Sequence, residues 1–409
     1  MAGGKTPAVP FDAFLPRGLM SRTGPDCCVA IIGAGPVGLF LAISLRTAGI
    51  DCIVLEQRRE RIRHSRSIGI HPVSLEAFSP YELNEGLLKD GVKIRAGHAF
   101  LDRKAVGTID FSACPKPFNF ILSCPQYITE SVLEARLESL APTCLRRGVC
   151  VNRIEVNAGA VVVRWQSAAG RQQRLTAKFL VGCDGWHGVT RHAMGCRVRG
   201  GEYPDFYLMG DFPDATQQRD SASIFLHRSG LVESFPLPAG RRRWVVKTGA
   251  IHEQDQHRVL VQKLAERTGI DLSGLSPSML SAFGVQHYLA HPMQRGNMFL
   301  AGDAAHVISP IGGQGMNLGW LDAQHLANVL INQQQGVRRR SLAPRIYAQK
   351  RDAMAKKAMR RAEFNMALGR CYRWRIWRQV LLYCMLNTPL RSRMARLFSM
   401  RGLASGLRT

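Results

Sequence analysis

Residues Val29–Phe40 read VAIIGAGPVGLF: an apolar run, the spacing Gly33-x-Gly35-x-x-Gly38, then a second apolar run. A strand that enters a glycine turn and opens a helix lays backbone against a pyrophosphate. Gly33 permits the tight turn, Gly35 removes the Cβ that would keep phosphates away, and Gly38 lets the helix pack on the strand. Pro36 and Val37 lie inside the turn and belong to the same binding set. The helix start offers free amides and partial positive charge to the phosphates. Leu39, Ile43 and Leu45 carry the helix to Gly49, a suitable cap. A second strand, Cys52–Leu55, ends at Glu56 and is followed by Gln57 and Arg58. An acid at that distance accepts ribose hydroxyls and suits an unphosphorylated ribose. The bound dinucleotide is thus FAD or NAD rather than NADP.

Two later segments narrow the choice. Leu180–Arg191, LVGCDGWHGVTR, is a strand ending in Asp184-Gly185 with Arg191 beyond it. Asn297–Asp322, NMFLAGDAAHVISPIGGQGMNLGWLD, is a strand ending in Gly302-Asp303, then a loop with Pro310, the Gly312–Gly315 turn, and a helix from Met316. Two glycine-enforced approaches of backbone, with an acid able to bind a polyol between them, imply a long ligand lying along the chain.

The rest of the chain is globular. Of its 409 residues, 46% are apolar, enough for a sizeable core. Residues 1–25 lack an apolar run behind a basic start, so no secretory signal is expected. The longest apolar stretch, Val29–Ser44, is broken by glycines and a proline and is short for a membrane span. Eleven cysteines without a C-x-x-C pair support neither a zinc ribbon nor a thioredoxin-type motif, and no metal site is expected. The reading is of reduced thiols in a cytoplasmic protein, with peripheral membrane association open. Strands are predicted at Cys28–Ile32, Lys178–Gly182, Asn297–Ala301 and Val161–Trp165, and a helix over Ser131–Leu140. Phe206–Asp211, Ser223–His227 and Arg243–Lys247 read as a second sheet. After Gly319 the pattern is helical.

The three fingerprints, in order and at ordinary spacing, resemble the aromatic-hydroxylase family of flavoprotein monooxygenases (group A, of the p-hydroxybenzoate hydroxylase type). The resemblance runs from about Val29 to about Leu330, with GDAAH…P…GGQGMN around Asp303 its most specific part. It implies an α/β fold: a Rossmann-like FAD-binding domain interrupted by a mixed-sheet substrate domain, with a helical C-terminal region. The FAD domain is expected over 26–200 and 285–335, with part of 90–125 on the substrate side. The substrate sheet is expected over 201–284, a flexible segment over 1–25 and a basic helical region over 336–409. By resemblance Asp303 bonds the ribityl chain, and the amides of Gly315, Met316 and Asn317 face the pyrimidine edge of the flavin. Gly302, Pro310 and Gly313 shape that turn. Arg66 lies near the pyrophosphate, Gln126 near the ribityl or adenine end, and Asp184 supports the flavin-binding backbone and a transient nicotinamide site. Where the family has Ser, this chain has Gly188.

The implied activity consumes NADPH or NADH as transient reductant and O2. A flavin C4a-hydroperoxide then hydroxylates an electron-rich aromatic or enolic small molecule. Related FAD folds serve reductases and halogenases. The W-x-W-x-I-P segment of halogenases is absent, and GGQGMN resembles the hydroxylases better than the prenyl reductases. A FAD-containing scaffold without turnover is the alternative from another class. The substrate residues are not legible; His71, Tyr207 and His227 sit where pocket residues could fall. His306 is expected to pack near the pyrophosphate rather than to act as a base.

Net charge is +25, and the 72 residues from Arg338 hold 19 Lys/Arg against 2 Asp/Glu. Arg345–Leu368 reads as a long cationic helix. Trp374, Trp377, Leu381 and Cys384 recur at helical spacing beside arginines, and Leu390, Met394 and Leu397 share one side of a last short helix. Three readings stay open: a cap packed on the catalytic body, a helix on an anionic membrane surface, and a dock for an acidic partner such as a substrate-bearing carrier protein. In the last two the substrate would be membrane-embedded or carrier-bound. Nucleic acid is not expected, since no recognition module accompanies the charge.

Overall fold

Strand Cys27–Ile32 delivers the chain to Gly33, and helix Pro36–Thr47 follows with Gly35 at its cap. The computed structural model describes residues 25–62, 67–157, 159–167, 169–336, 343–370 and 375–401. In the first sheet the strands run Gln294–Arg295, Met298–Leu300, Gln172–Gly182, Cys27–Ile32, Cys52–Glu56 and Leu145–Arg147. The four contacts from Met298–Leu300 to Leu145–Arg147 are parallel. Val29, Ala30 and Ile31 are wholly buried, which is why this strand is an unbroken apolar run rather than an alternating one. Strands Val151–Asn157 and Ala160–Gln166 add an antiparallel extension to the near half of Gln172–Gly182.

One face of this sheet is covered by helices Pro36–Thr47, Gln126–Leu140 and Gln314–Gln334, which share one apolar core. Phe78 anchors it, meeting Phe40 and Trp320 edge-on at 4.8 and 4.9 Å.

The second sheet has eight strands: His306–Val307, Met279–His291, Arg197–Pro213, Arg241–Thr248, Gly230–Leu237, Ala222–His227, Ala96–Leu101 and Lys104–Asp110. It is wider than the interval 201–284. Arg197–Pro213 and Met279–His291 begin before and end after those limits, because they pair along most of their length. Ala96–Leu101 pairs in parallel with Ala222–His227, so residues from the first half of the chain complete the sheet. Its outer face, with Phe212, Trp244 and Val246, packs on helix Gln256–Thr268. Its inner face, with Tyr207, Met209 and Val245, meets Ile311 of the third fingerprint.

After Gln314–Gln334 come helices Pro344–Arg370, Arg375–Asn387 and Leu390–Phe398. No helix among the described residues is long and apolar enough to cross a membrane. The inner face of Arg375–Asn387 is set by Leu382, Met385 and Leu386, whereas Leu381 and Cys384 are exposed. The predicted stripe through Leu381 and Cys384 is therefore one residue out of phase. The segment is apolar on most sides, so spacing alone does not choose a face. Packing does: Leu386 lies where a Cβ on Gly107 would come within 2.6 Å, and Asn387 Nδ2 donates to the Val106 carbonyl at 2.8 Å. Trp374 and the Trp377 side chain lie outside the described residues. In the last helix Leu390 is exposed, while Met394 and Leu397 are half-buried and Ala395 is buried.

Helix Pro36–Thr47 touches its neighbours through absent side chains. A Cβ on Gly38 would lie 2.0 Å from the Gly33 carbonyl oxygen, and one on Gly319 would lie 2.5 Å from Val37 Cγ2. Gly38→Ala and Gly319→Ala are each expected to lower stability by roughly 1–3 kcal/mol in urea unfolding. Unchanged midpoints would mean that the helices do not approach this closely.

Candidate functional site

Four adjacent parallel strands end at one edge of the sheet, and each delivers a predicted site residue there. Met298–Leu300 leads to Gly302-Asp303, Gln172–Gly182 to Asp184, Cys27–Ile32 to Gly33–Gly35, and Cys52–Glu56 ends in Glu56 itself. Ligands of open α/β sheets bind beyond the carboxyl ends of the strands, as here. The turns interlock. Gly33, at φ +101°, sits where a Cβ would be 2.4 Å from the Cys183 carbonyl oxygen. Val37 packs within 3.1 Å of the Cβ position of Gly302, and Trp320 Nε1 donates to the Pro36 carbonyl at 3.0 Å.

Gly35 differs from these. Apart from its own chain neighbours and its helix's backbone, no atom of the described residues lies within 4 Å of where its Cβ would be, so the space before the helix start is open. Its absent side chain relieves no contact within the protein; it clears room for a ligand. Glu56 is buried and braces the same turn, accepting from Ala34 N at 2.8 Å and Arg58 N at 2.9 Å. Each carboxylate oxygen keeps capacity for one further donor. Gln57 and Arg58 are exposed beside it.

Asp303 follows Gly302 in a short 3-10 turn, is exposed, and has no side-chain hydrogen bond among the described residues. Desolvation nonetheless raises its pKa, with His306 pulling it down and Asp322 pushing it up. Asp303 thus stays open to solvent while lying within reach of the charges of His306 and Asp322.

Asp184 is held differently. Its Oδ2 accepts from the Thr190 amide at 2.9 Å and the Thr190 hydroxyl at 2.8 Å, while Oδ1 is buried without a partner. Burial raises this carboxyl's pKa. A Cβ on Gly188 would come within 2.0 Å of Asp184 Cγ, so the carboxylate occupies the space that Ser would need. The departure at 188 thus has a steric cause, and Thr190 supplies a hydroxyl instead. Arg191 stacks 4.0 Å above the Trp186 ring, which stacks at 4.0 Å on Tyr288.

Helix Gln314–Gln334 starts at Gly313, whose φ of +63° sets the turn and whose missing side chain provides no cap. The first-turn amides, Gly315 and Met316 among them, therefore point out of the helix without intrahelical acceptors. Asn317 is wholly buried and ties the turn down. Its Oδ1 accepts from His71 N and the Ser74 hydroxyl, and its Nδ2 donates to the Gly69 and Gly313 carbonyls, all at 2.8 Å. Its role is to hold the turn rather than to bind through its side chain.

His71 lies under this turn. Burial pushes its imidazole down to about 4, although backbone groups of Gly312, Phe398 and Gly313 pull the other way. It is a neutral support at pH 7. Pro310 is exposed at the head of the turn. Tyr207 is buried on the inner face of the second sheet, in the cluster that includes Ile311. His227 bonds Ser229 at 2.8 Å at a hairpin end, and its charged neighbours are Asp102, Glu266, Arg267 and Arg228. None of these belongs to the fingerprint turns, so it has a hairpin role. Gln126 begins helix Gln126–Leu140, its Nε2 donating to Glu130 at 2.7 Å. Arg66 lies outside the described residues.

Sequence reasoning missed the cluster beneath Asp303. Asp322, almost fully buried, accepts from Gly302 N at 3.0 Å, His306 Nε2 at 2.6 Å and Arg351 Nη1 at 3.3 Å. Burial opposes a charge on His306, but Asp322 outweighs it and raises the imidazole above its usual range. His306 therefore stiffens the Gly302 turn through Asp322. The signal was an aspartate among apolar neighbours in GWLDA, a position where helical spacing points inward.

These groups suit FAD on the structure's own terms: open space before an anion-binding helix start, an exposed carboxylate without a partner among the described residues, and outward amides at a second helix start. Asp322→Asn is expected to cost about 3–5 kcal/mol, because His306 and Arg351 are left buried without a counter-charge. The raised imidazole contributes its full stability below the ordinary histidine range and loses it as pH climbs past the raised value. The cost should thus be larger at about pH 6 than at about pH 9 in chemical denaturation. A pH-independent cost would contradict a charged His306.

The FAD binding domain family matches residues 26–362. Rifampicin monooxygenase of Streptomyces venezuelae is 32% identical over 308 residues, which cover 73% of this chain and 62% of that protein. OxyS anhydrotetracycline hydroxylase from Streptomyces rimosus superposes with a TM-score of 0.77 at 29% identity, covering 91% of this chain and 76% of the other. p-Nitrophenol 4-monooxygenase PnpA from Pseudomonas putida DLL-E4 shares the fold at a TM-score of 0.85 and 20% identity, covering 93% and 99%. The chain spans about three fifths of the length of the curated relatives it matches. It belongs to the FAD-binding family of group A, p-hydroxybenzoate hydroxylase-type flavoprotein monooxygenases.

Proposed function

We propose that the protein uses NAD(P)H and O2 to hydroxylate an electron-rich aromatic or enolic compound. The observation that carries this reading is the placement of the second sheet's inner face against Ile311, next to the outward amides at Gly313–Met316. An apolar wall beside those amides would suit a substrate meeting the flavin ring. Relatives named as monooxygenases of an aromatic compound, of rifampicin and of 6-methylpretetramide support an aromatic substrate. When bound, FAD supplies the redox chemistry that takes electrons from NAD(P)H and activates dioxygen.

The chain's own residues bind and orient. Amides at Gly35–Val37 would receive the pyrophosphate, Glu56 a ribose hydroxyl and Asp303 the ribityl hydroxyls. The helix start at Gly315 and Met316 would place positive potential beside the ring edge that turns anionic on reduction. Buried Phe283, Met209 and Ile311 would exclude water from the reacting face.

Two substitutions separate binding from folding. Gly35→Ala should leave the apoprotein's stability within about 1 kcal/mol, and Asp303→Ala should fold normally. Each should weaken FAD about tenfold or more, the loss of one hydrogen bond to a charged group or of a phosphate contact. Fluorescence titration with FAD reads this directly, and wild-type affinity in both variants would overturn the assignment. For the activity, a phenol panel should stimulate NAD(P)H oxidation and O2 uptake and yield a product one oxygen atom heavier. No stimulation across the panel would favour the scaffold alternative.

A second surface supports a further reading. Val380, Leu381, Tyr383 and Leu390 are exposed beside exposed Arg391 and Arg393. An apolar face with cationic flanks suits an anionic membrane or an acidic carrier protein. The doubly substituted protein Leu381→Ser/Tyr383→Ser should lose sedimentation with phosphatidylserine vesicles or retention on an acidic carrier protein, at unchanged FAD content. If the wild type shows neither association, the helices serve as a cap.

A further inference from the structure

Among the described residues, Glu233 is a carboxylate on the inner face of the second sheet without a partner. It lies in strand Gly230–Leu237, only 6% exposed, and makes no hydrogen bond or ion pair among the described residues. The strand alternates: Val232 packs on the outer face with Trp244 and Val246, while Leu231 belongs to the inner cluster. Glu233 therefore points inward. Pairing confirms the row, Ile224–Glu233–Val245–Met209, with Val245 and Met209 both in the cluster that holds Ile311. Tyr207 lies in the next row, buried, with no hydrogen bond to its hydroxyl among the described residues.

Several charges around this face are paired with one another among the described residues. Arg243 grips Asp211 through two bonds of 2.7 and 2.8 Å, and Lys247 pairs with Asp205 at 2.8 Å. From the covering helix Pro344–Arg370, Arg370 also pairs with Asp205, and Glu363 accepts from Tyr203. Arg361 on that helix is half-buried, with one guanidinium nitrogen lacking a partner. From strand Val92–Ile94, Lys93 lies over the Phe120 ring. The turn Ile308–Gln314 contributes no ionisable side chain, and His71 beneath it is neutral. The group coupled electrostatically to Glu233 is the Tyr207 hydroxyl.

A buried acid without a donor costs stability that packing alone would remove. Its position fits a recognition role, since such a group rejects ligands that leave it unpaired. We propose that the Glu233 carboxylate anchors the substrate's hydroxyl, accepting a hydrogen bond from a phenolic or enolic O–H laid against the inner face. The inference rests on the hydroxylase reading and names its substrate class: a ring with a neutral hydroxyl and no carboxylate beside it, which this acid would repel. In the step it assists, the substrate O–H bond breaks and an O–H bond forms on Glu233. The electron pair left on the substrate oxygen enriches the neighbouring ring carbon for attack. Tyr207, two strands away, positions the ring.

Burial pushes the Glu233 carboxyl up to about 7, closer to a phenol's value of about 10 than an ordinary carboxylate lies. The test uses FAD-loaded protein with 2-naphthol and its methyl ether, 2-methoxynaphthalene, as probes, read by perturbation of the flavin spectrum. At about pH 8 the wild type should prefer the naphthol by about tenfold or more. In Glu233→Gln that preference should shrink about tenfold, with ether affinity unchanged. The wild-type preference should grow as pH rises through the Glu233 transition and stay flat in the variant. A variant that keeps the preference, or a wild type that shows none, overturns the proposal.

Thermal melts give a second readout. A carboxyl raised in the folded state gives its full stability below its unfolded pKa and loses it as pH climbs through the folded value. The variant should therefore gain Tm over wild type between about pH 5 and about pH 8; a loss there would mean that the carboxylate is structurally paired. A colourless wild type counts against the hydroxylase reading itself, whereas a yellow pair of proteins with equal probe preference counts only against Glu233.

Discussion

The contact between Val37 and the two glycines Gly302 and Gly319 is what the remaining site geometry depends on. It brings the first turn of the dinucleotide helix against a strand end and a helix that lie more than 260 residues later in the chain. Gly33 and Gly38 do the same toward Cys183. A Cβ at Gly33, Gly38 or Gly319 would clash and one at Gly302 would be tight, so the three fingerprints are held at a range that side chains on these glycines would not permit. A bound ligand then faces amides and carbonyls fixed by the sheet, with little side-chain entropy left to lose on binding. Asn317, with four hydrogen bonds, extends this rigidity to the turn at Gly313.

Around that backbone the acids fall into two sorts. Asp322 is neutralised on the spot by His306 and Arg351 and serves the fold. Asp211 and Asp205 are likewise paired with arginine and lysine. Asp303 and Glu233 have no such partner, and Asp184 keeps one oxygen free. An unpaired polar group is tolerated where a ligand completes it. Asp303 follows a strand end of the first sheet, and Glu233 lies on the inner face of the second.

Much of this was legible in the sequence because local rules and tertiary demands agree there. Gly33 and Gly38 announce a turn and a helix approach that only glycine allows, Gly35 clears space beside them, and the apolar run before them reads as a buried strand. Glu56 and Asp303 follow from their distance beyond strand ends. Legibility failed where a choice is made by a distant neighbour. Nothing local distinguishes Leu381 from Leu382 within the apolar run Val380–Leu386; Gly107, far back in the chain, decides it. The reason for Gly188 is likewise tertiary, since the Asp184 carboxylate fills the space a side chain there would need. Glu233 was readable in principle, since LVESF alternates and puts the acid on the side of Leu231, but the sheet's orientation toward the third fingerprint is a tertiary fact.

The most direct test of the account is a crystal structure of the protein grown with FAD. It should place the pyrophosphate on the amides at Gly35–Val37, the ribityl hydroxyls within hydrogen-bond reach of Asp303, and the pyrimidine edge of the ring at the amides of Gly315 and Met316. A cofactor seated anywhere else, or an Asp303 carboxylate turned to a protein partner with FAD present, would contradict it.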